Sequence, residues 1–302
     1  MNRNKYRVII PFLAPAVILY LTFVIYPYAR SMYNSFTSWK GVSANQPFVG
    51  FYNYIRMIND EYFWNALWHN VQYLLFLPVI IIMLSLFLAF VISQGVRGSK
   101  FYRVVFFFPQ VVLVISIAVL WSYIYHPTVG VLTSIAQFLH MEPFFQLFGF
   151  EGIPVWVGDP RTVRMAIGAV VIWQAAGFYM ILFLAAMEAI PNSFYEAATL
   201  DGATRWHQFW KITIPLLWDT MQTAMIYVGL LAFNMFAITQ VMVVSGSSTG
   251  RPADVLATYL YEQAFLASRF GYATAIGVAL FLLMLTLSAF TMRVTRRESV
   301  EF

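Results

Sequence analysis

Long apolar runs alternate with short polar intervals along this chain. Six of the runs have about 20 residues or more, which is the length that an α-helix needs to cross the ~30 Å hydrocarbon core of a bilayer. Apart from Asp219, near one end of the fifth run, none of them contains Asp, Glu, Lys or Arg. The predicted spans are residues 8–28, 71–92, 104–125, 165–187, 216–244 and 272–292. We therefore predict an all-α polytopic membrane protein, with residues 1–302 forming a single transmembrane domain.

The overall composition agrees with this pattern. The chain is 61% hydrophobic and only 10% charged, whereas a soluble domain usually carries about 25% charged residues. It contains no cysteine, which excludes disulfides and thiolate metal sites. The basic N-terminus followed by the apolar run Val8–Tyr28 resembles a signal peptide, but the run is longer than the 7–15 residues of a typical signal core. We interpret it as a retained first span, with a cleaved signal as the alternative.

Two further segments are predicted to lie on the outer surface. The segment Val131–Phe150 is only moderately apolar and contains His140, Glu142 and Pro143, so we do not count it as a seventh span. The stretch DEYFWNALWHN, residues 60–70, is expected to form a helix that lies on the outer face.

The distribution of basic residues predicts the orientation. The two termini and the intervals after the second and fourth spans carry 11 of the 18 Lys and Arg residues. Cytoplasmic segments of membrane proteins are enriched in Lys and Arg. Both termini and the interval 188–215 are therefore expected in the cytoplasm. The 11 residues are Arg3, Lys5, Arg7, Arg97, Lys100, Arg103, Arg205, Lys211, Arg293, Arg296 and Arg297.

The chain lacks the patterns that would indicate chemistry of its own. Proton-coupled carriers commonly keep ionisable groups at membrane depth, which these spans lack, although backbone carbonyls alone can hold Na⁺. No Gly-Lys dipeptide is present, so no P-loop can cradle phosphates. The four histidines are scattered and form no HExxH pattern. We expect a non-catalytic chain that binds no cofactor or metal and draws any transport energy from a partner.

The interval 188–215 has signals for two short helices joined by an elbow. Ser193 followed by Glu196 fits a capping box, which predicts a first helix over Phe194–Leu200. Gly202 would then form a turn with positive φ. Thr204 would cap a second helix over Arg205–Ile212.

Proline residues bracket this pair of helices. Because proline is unfavourable inside a helix, Pro191 and Pro215 mark expected boundaries, with Pro215 opening the fifth span. Asp201 and Arg205 stand four residues apart and are expected to form a local surface pair. Three aromatic residues are expected to pack the helices onto the ends of the spans: Trp206, Phe209 and Trp210.

The order of residues in this interval resembles a known motif. The pattern EAA, three residues, Gly, nine residues and I-x-L-P is the hallmark of bacterial binding-protein-dependent ABC importer permeases. Only Ile214, in place of Leu, departs from it. We call residues 188–215 the EAA loop. The matching positions are Glu196, Ala197, Ala198, Gly202, Ile212, Ile214 and Pro215.

Three further segments are similar to the carbohydrate subfamily of these permeases. They are FVGFYNY (48–54), RGSKFYRVVFFFP (97–109) and the YEQAF…GYATA region (261–275). The resemblance extends over nearly the whole chain and is greatest to the first permease of maltose or glycerol-3-phosphate systems.

This resemblance implies a fold, a mechanism and a set of partners. The fold would be that of a type I ABC importer permease in the plasma or inner membrane of a bacterium or archaeon. The EAA loop would dock on one of two cytoplasmic ATPase subunits, which bind ATP and Mg²⁺. A second EAA-type permease would complete the path for a sugar delivered by an extracytoplasmic binding protein, and no nucleic acid is involved. The implied coupling residues are Glu196, Ala197, Ala198, Asp201, Gly202 and Pro215.

Four residues at membrane depth are candidates for the sugar path, because sugar sites combine amides with aromatic faces. They are Trp173, Gln174, Tyr179 and Asn234. The alternative is that the amides form hydrogen bonds between helices and that the aromatic rings face lipid or core.

Several other functions remain open from the sequence. The solute could be glycerol phosphate or another molecule. A secondary transporter, a channel or a membrane scaffold is a different class, which the EAA pattern disfavours. The GSSTGRP loop, residues 246–252, is expected outside and would either contact a binding protein or be an ordinary loop.

Overall fold

The computed structural model describes residues 3–43, 45–246 and 251–295, and these ranges contain helices and no β-strand. The all-α fold class is therefore confirmed. The helices are α1 Arg3–Tyr20, α2 Tyr26–Asn34, α3 Tyr52–Ile58, α4 Glu61–Ser93, α5 Ser99–Val111, α6 Val114–Ile124, α7 Val131–Phe138, α8 Glu142–Leu147, α9 Val163–Glu188, α10 Asn192–Leu200, α11 Arg205–Gln208, α12 Ile214–Leu216, α13 Trp218–Phe233, α14 Phe236–Gly246, α15 Leu256–Tyr261 and α16 Phe270–Thr295.

Five of the described helical segments are long and apolar enough to span a membrane, and a bent pair makes a sixth. The five are Pro11–Asn34, Glu61–Ser93, Val163–Glu188, Trp218–Val243 and Phe270–Val294. The segment after the third span forms only the short helices α7 and α8, so no seventh span appears there. The chain divides into two compact units, residues 1–64 with 259–283 and residues 65–258 with 284–302.

The third predicted span is not one straight helix. Helices α5 and α6 meet at a bend of 99°. Pro109 supplies no backbone N–H to α5, and Val112 leaves the helical conformation with ψ 139°. The predicted span over Val104–Tyr125 is therefore a bent pair of helices rather than one straight helix. Each half has its own packing partner, because α5 packs on α9 and α6 packs on α14.

The stretch DEYFWNALWHN does not form a separate surface helix, which corrects that prediction. It is the first part of α4, which continues without a break for 33 residues. The Asp60 carboxylate accepts a hydrogen bond from the backbone N–H of Tyr62 at 3.0 Å and so begins the helix. At 1.5 Å per residue, α4 is about 50 Å long and exceeds the hydrocarbon thickness.

In the first unit, one buried side chain and one close backbone approach join distant segments. The Asn53 amide donates to the carbonyls of Ser35 and Thr37 at 2.8 Å each. The backbone N–H of Gly271 donates to the Trp39 carbonyl at 2.9 Å. A Cβ at position 271 would overlap the Thr37 carbonyl, so this approach requires glycine.

The Asp60 carboxylate is the polar centre of the same unit. Tyr259 and Tyr272 both donate their hydroxyls to it. Burial opposes ionisation of Asp60, but these hydrogen bonds and the backbone N–H groups of Tyr62 and Phe63 outweigh it and hold the pKa below its usual value. Its charge is therefore retained in the folded chain at neutral pH.

In the second unit, α9 lies at the centre of the core, and 14 of its 26 residues are buried. At Gly177, α9 lies directly against the Phe106 carbonyl of α5, and an added Cβ would overlap that backbone. This close packing fixes the position of α9, the helix that leads into the EAA loop.

Candidate functional site

The EAA loop begins with α10, whose start differs from the sequence prediction. The helix begins at Asn192 rather than Phe194, and Pro191 occupies the capping position. No side chain caps this end of the helix. The capping box of Ser193 and Glu196 is therefore wrong, because Ser193 lies inside the first turn.

The elbow between the two short helices agrees with the sequence prediction. Gly202 has φ +79°, which costs glycine nothing and costs most other residues ~1–2 kcal/mol. The Thr204 hydroxyl accepts a hydrogen bond from the backbone N–H of His207 at 3.3 Å and caps α11. The positive φ at Gly202 and the cap at Thr204 are confirmed.

The second helix has a different form from the one predicted. After α11, residues Phe209–Thr213 form a π-helical turn that leads directly into α12. Pro215 thus lies within a helical run that continues from α11, and the fifth span begins at Trp218. A π-turn inserts an extra residue into the helical ladder and often occurs at functional positions.

The base of the EAA loop is attached to the body of the unit by aromatic packing. Phe209 is buried, and its ring lies 4.5 Å from that of Phe90. Trp206 also contacts Phe90, at 5.9 Å, but remains half exposed. Tyr195 and Thr213 join the two ends of the loop through a hydroxyl–hydroxyl hydrogen bond of 3.0 Å.

In contrast, residues 196–202, which we call the tip of the EAA loop, make few contacts with the rest of the chain. Glu196, Ala197 and Asp201 are exposed, and the Glu196 side chain makes no hydrogen bond or ion pair in the described chain. Leu200 is 90% exposed beside them. No motif in the sequence marks Leu200.

Asp201 and Arg205 do not form the predicted local pair. Arg205 instead donates to the Gln94 side chain at 2.8 Å, at the end of α4. The hydrogen bond joins the EAA loop to the segment that follows the second span.

The four candidates for the sugar path lie in different environments. Tyr179 is buried, Gln174 is half-buried, and Trp173 and Asn234 are exposed. Trp173 makes an edge contact with Trp121 at 5.5 Å. At about 100° per residue, Trp173 and Tyr179 point ~120° apart on α9. No side-chain hydrogen bond or ring contact joins any two of these four residues.

A further polar residue near Asn234 was missed. Asn70 in α4 is fully buried, and its amide donates to the Ala232 carbonyl at 2.8 Å, just before the break between α13 and α14. Its oxygen accepts from the backbone N–H of Leu256 at 2.8 Å. We call this set the Asn70 junction. Its signal in the sequence was a lone Asn at the edge of an apolar run.

Among the described residues, no group of three or more His, Asp or Glu is arranged to hold a metal ion. The GSSTGRP loop lies largely outside the described residues, since 247–250 are not among them.

Comparisons with known proteins place these features in a family. The family model described as a binding-protein-dependent transport system inner membrane component matches residues 71–300. The diacetylchitobiose uptake system permease protein NgcF of Streptomyces coelicolor is 33% identical over 94% of this chain and 81% of its own. The probable ABC transporter permease protein YurN of Bacillus subtilis is 32% identical over 97% of each chain.

Solved structures show the same fold. A chain of a bacterial ABC transporter for import of the acidic polysaccharide alginate matches with a TM-score of 0.78 at 23% identity, over 98% of each chain. A chain of the alginate transporter in complex with its pentasaccharide-bound periplasmic protein matches with a TM-score of 0.79 at 21% identity.

Proposed function

Because this chain belongs to the family of binding-protein-dependent transport system inner membrane components, we propose that it is the permease subunit through which an ATP-driven importer passes a sugar. As a family member, the chain is a multi-pass protein of the inner membrane that acts in transport with partner components. The sugar, the alternating-access path and the contact with an ATPase belong to the proposal.

The observation that carries the proposal is the form of the EAA loop. It presents exposed Glu196, Leu200 and Gly202 at its tip, while its base is packed on the body of the unit through Phe209. A partner that moves the tip would thus move the helices beneath it. In the proposed complex that partner is a cytoplasmic ATPase subunit, which binds ATP with Mg²⁺ and hydrolyses it.

A sugar is the proposed solute class because several relatives carry carbohydrate names. NgcF is named for diacetylchitobiose uptake, and the permease protein SmoG of Agrobacterium fabrum, 30% identical, for sulfoquinovosyl glycerol. A second EAA-type permease would complete the path, and an extracytoplasmic binding protein would deliver the sugar. Both termini and the EAA loop would lie in the cytoplasm, as the distribution of Lys and Arg predicts.

Reconstitution tests this function. The chain is assembled with a candidate partner permease, ATPase and binding protein, and ATP hydrolysis is measured in proteoliposomes. We expect hydrolysis to rise when the sugar-loaded binding protein is added, with uptake of the labelled sugar. The proposal would be contradicted if the rate of ATP hydrolysis did not change when the binding protein is added, or if sugar uptake continued without ATP.

The candidate path residues have their own test in this assay. Replacing Gln174 and Asn234 together by Ala should lower sugar uptake severalfold without changing assembly, because amide hydrogen bonds to sugar hydroxyls would be lost. Gln222→Ala is the matched control, since Gln222 is a half-buried amide, like Gln174, whose side chain donates to the Met292 carbonyl. Unchanged uptake by the double variant would remove these residues from the path.

A further inference from the structure

A cavity of about 560 Å³ lies beside the EAA loop, where the end of α4 and the start of α5 face α10 and α11. This volume lies within the ~300–1,000 Å³ range of small-molecule sites. Its lining is polar at most positions and includes Arg103, Arg205, Gln94 and Glu188. None of these positions was selected for a ligand by the sequence.

The charges around the cavity favour an anion. Two guanidinium groups line it against one carboxylate. Arg103 donates to Glu188 at 2.8 Å, but its Nε–H is buried and has no hydrogen-bond partner. Arg205 uses one donor for Gln94, although a guanidinium carries five. The cavity therefore has unused donors as well as an excess of positive charge.

The backbone adds to this preference. Ser99 and Asn192 also line the cavity, and they are the first residues of α5 and α10. The positive dipole end of a helix start stabilises a nearby anion. These helix ends act together with the arginine side chains rather than alone.

We propose that this cavity binds a phosphate monoester. Arginine matches phosphate oxygens with paired, charge-assisted hydrogen bonds, and the hydroxyl and amide side chains around it suit a polyol body such as that of a sugar phosphate. The phosphate monoester comes either from a soluble sugar phosphate or from the headgroup of phosphatidic acid. Such a ligand would bridge Arg103 and Arg205 and so restrain the EAA loop, a consequence for transport that rests on the proposed function.

Direct binding tests the site without any transport assay. The assembled transporter is placed in phosphatidylcholine nanodiscs and titrated by calorimetry with glucose 6-phosphate, inorganic phosphate and glucose. A soluble source predicts saturable binding of glucose 6-phosphate and none of glucose. Arg103→Gln and Arg205→Gln should each weaken binding by about tenfold or more. Arg97→Gln, an exposed arginine outside the cavity, is the matched control and should bind as the wild type does.

A second arm identifies a lipid source. Nanodiscs containing phosphatidic acid are analysed by native mass spectrometry, and a lipid source predicts retention of phosphatidic acid by the wild type and its loss from the Arg103→Gln/Arg205→Gln variant. Arg103→Lys, which keeps the charge, should restore part of the binding in either arm and shows that the chain is folded. No saturable binding in both arms, or equal binding by wild type and double variant, overturns the proposal whether or not the chain imports a sugar.

Discussion

At the Asn70 junction, both polar groups of one amide are buried and hydrogen-bonded, whereas at the tip of the EAA loop the Glu196 carboxylate is exposed and makes no hydrogen bond. Both regions belong to the same unit of an apolar chain. A buried polar group without a partner costs free energy, so the two hydrogen bonds of the Asn70 amide stabilise the fold. An exposed polar group on a projecting loop contributes little to stability and is available to a partner.

The largest effect on stability is expected at Asn70, the buried residue of the two. Asn70→Ala leaves the Ala232 carbonyl and the Leu256 N–H without partners, which should lower the free energy of unfolding by about 2–4 kcal/mol. Denaturant titration in detergent micelles measures it. The control is Asn234→Ala at the same helix break, which should change the value by less than ~0.5 kcal/mol because that side chain is exposed and unbonded. Equal stability of the two variants would contradict the comparison.

Close packing in the body of the unit can be broken at one glycine. Gly177→Ala places a Cβ in the Phe106 carbonyl, so α9 and α5 must separate at a cost of about 1–3 kcal/mol. Gly168→Ala on the same helix meets only the side chains of Tyr73 and Leu77, at 3.7 and 3.9 Å. Thermal unfolding should therefore show a loss at 177 and none at 168, and a loss of similar size at both positions would be evidence against the close approach.

The smallest expected effect is on the melting temperature, and it occurs only at acidic pH. Because the folded-state pKa of Asp60 lies below its ordinary value of 3.8, its contribution to stability is complete above that value and is lost as the pH falls through the folded-state pKa. Asp60→Asn should make the decline in melting temperature below about pH 4 shallower. Asp201→Asn, at an exposed carboxylate without a hydrogen-bond partner, should leave the decline unchanged. Identical pH profiles for wild type and Asp60→Asn would exclude this role.

Local features of the candidate site were predictable, and features that depend on distant residues were not. The conformation of Gly202 and the cap at Thr204 follow from neighbours in sequence. The Ser193 cap failed because Pro191, two residues earlier, already occupies the capping position. Asn70 could not be selected because its partner Leu256 is 186 residues away.

The bend between α5 and α6 shows the same limit. Pro109 signals a weak point in the third span. The size of the bend, however, is set by the separate packing of the two halves on α9 and α14, which no local pattern contains.

The central claim is that the exposed tip of the EAA loop docks on an ATPase. The most direct measurement is co-purification of the partner ATPase with the assembled permeases carrying either Gly202→Asp or Gly50→Asp. Both glycines have positive φ and open space around the added side chain, so the two variants carry similar backbone strain. We predict that Gly202→Asp inserts normally but retains less than about a tenth of the ATPase, while Gly50→Asp retains all of it. Full retention by Gly202→Asp would contradict the account.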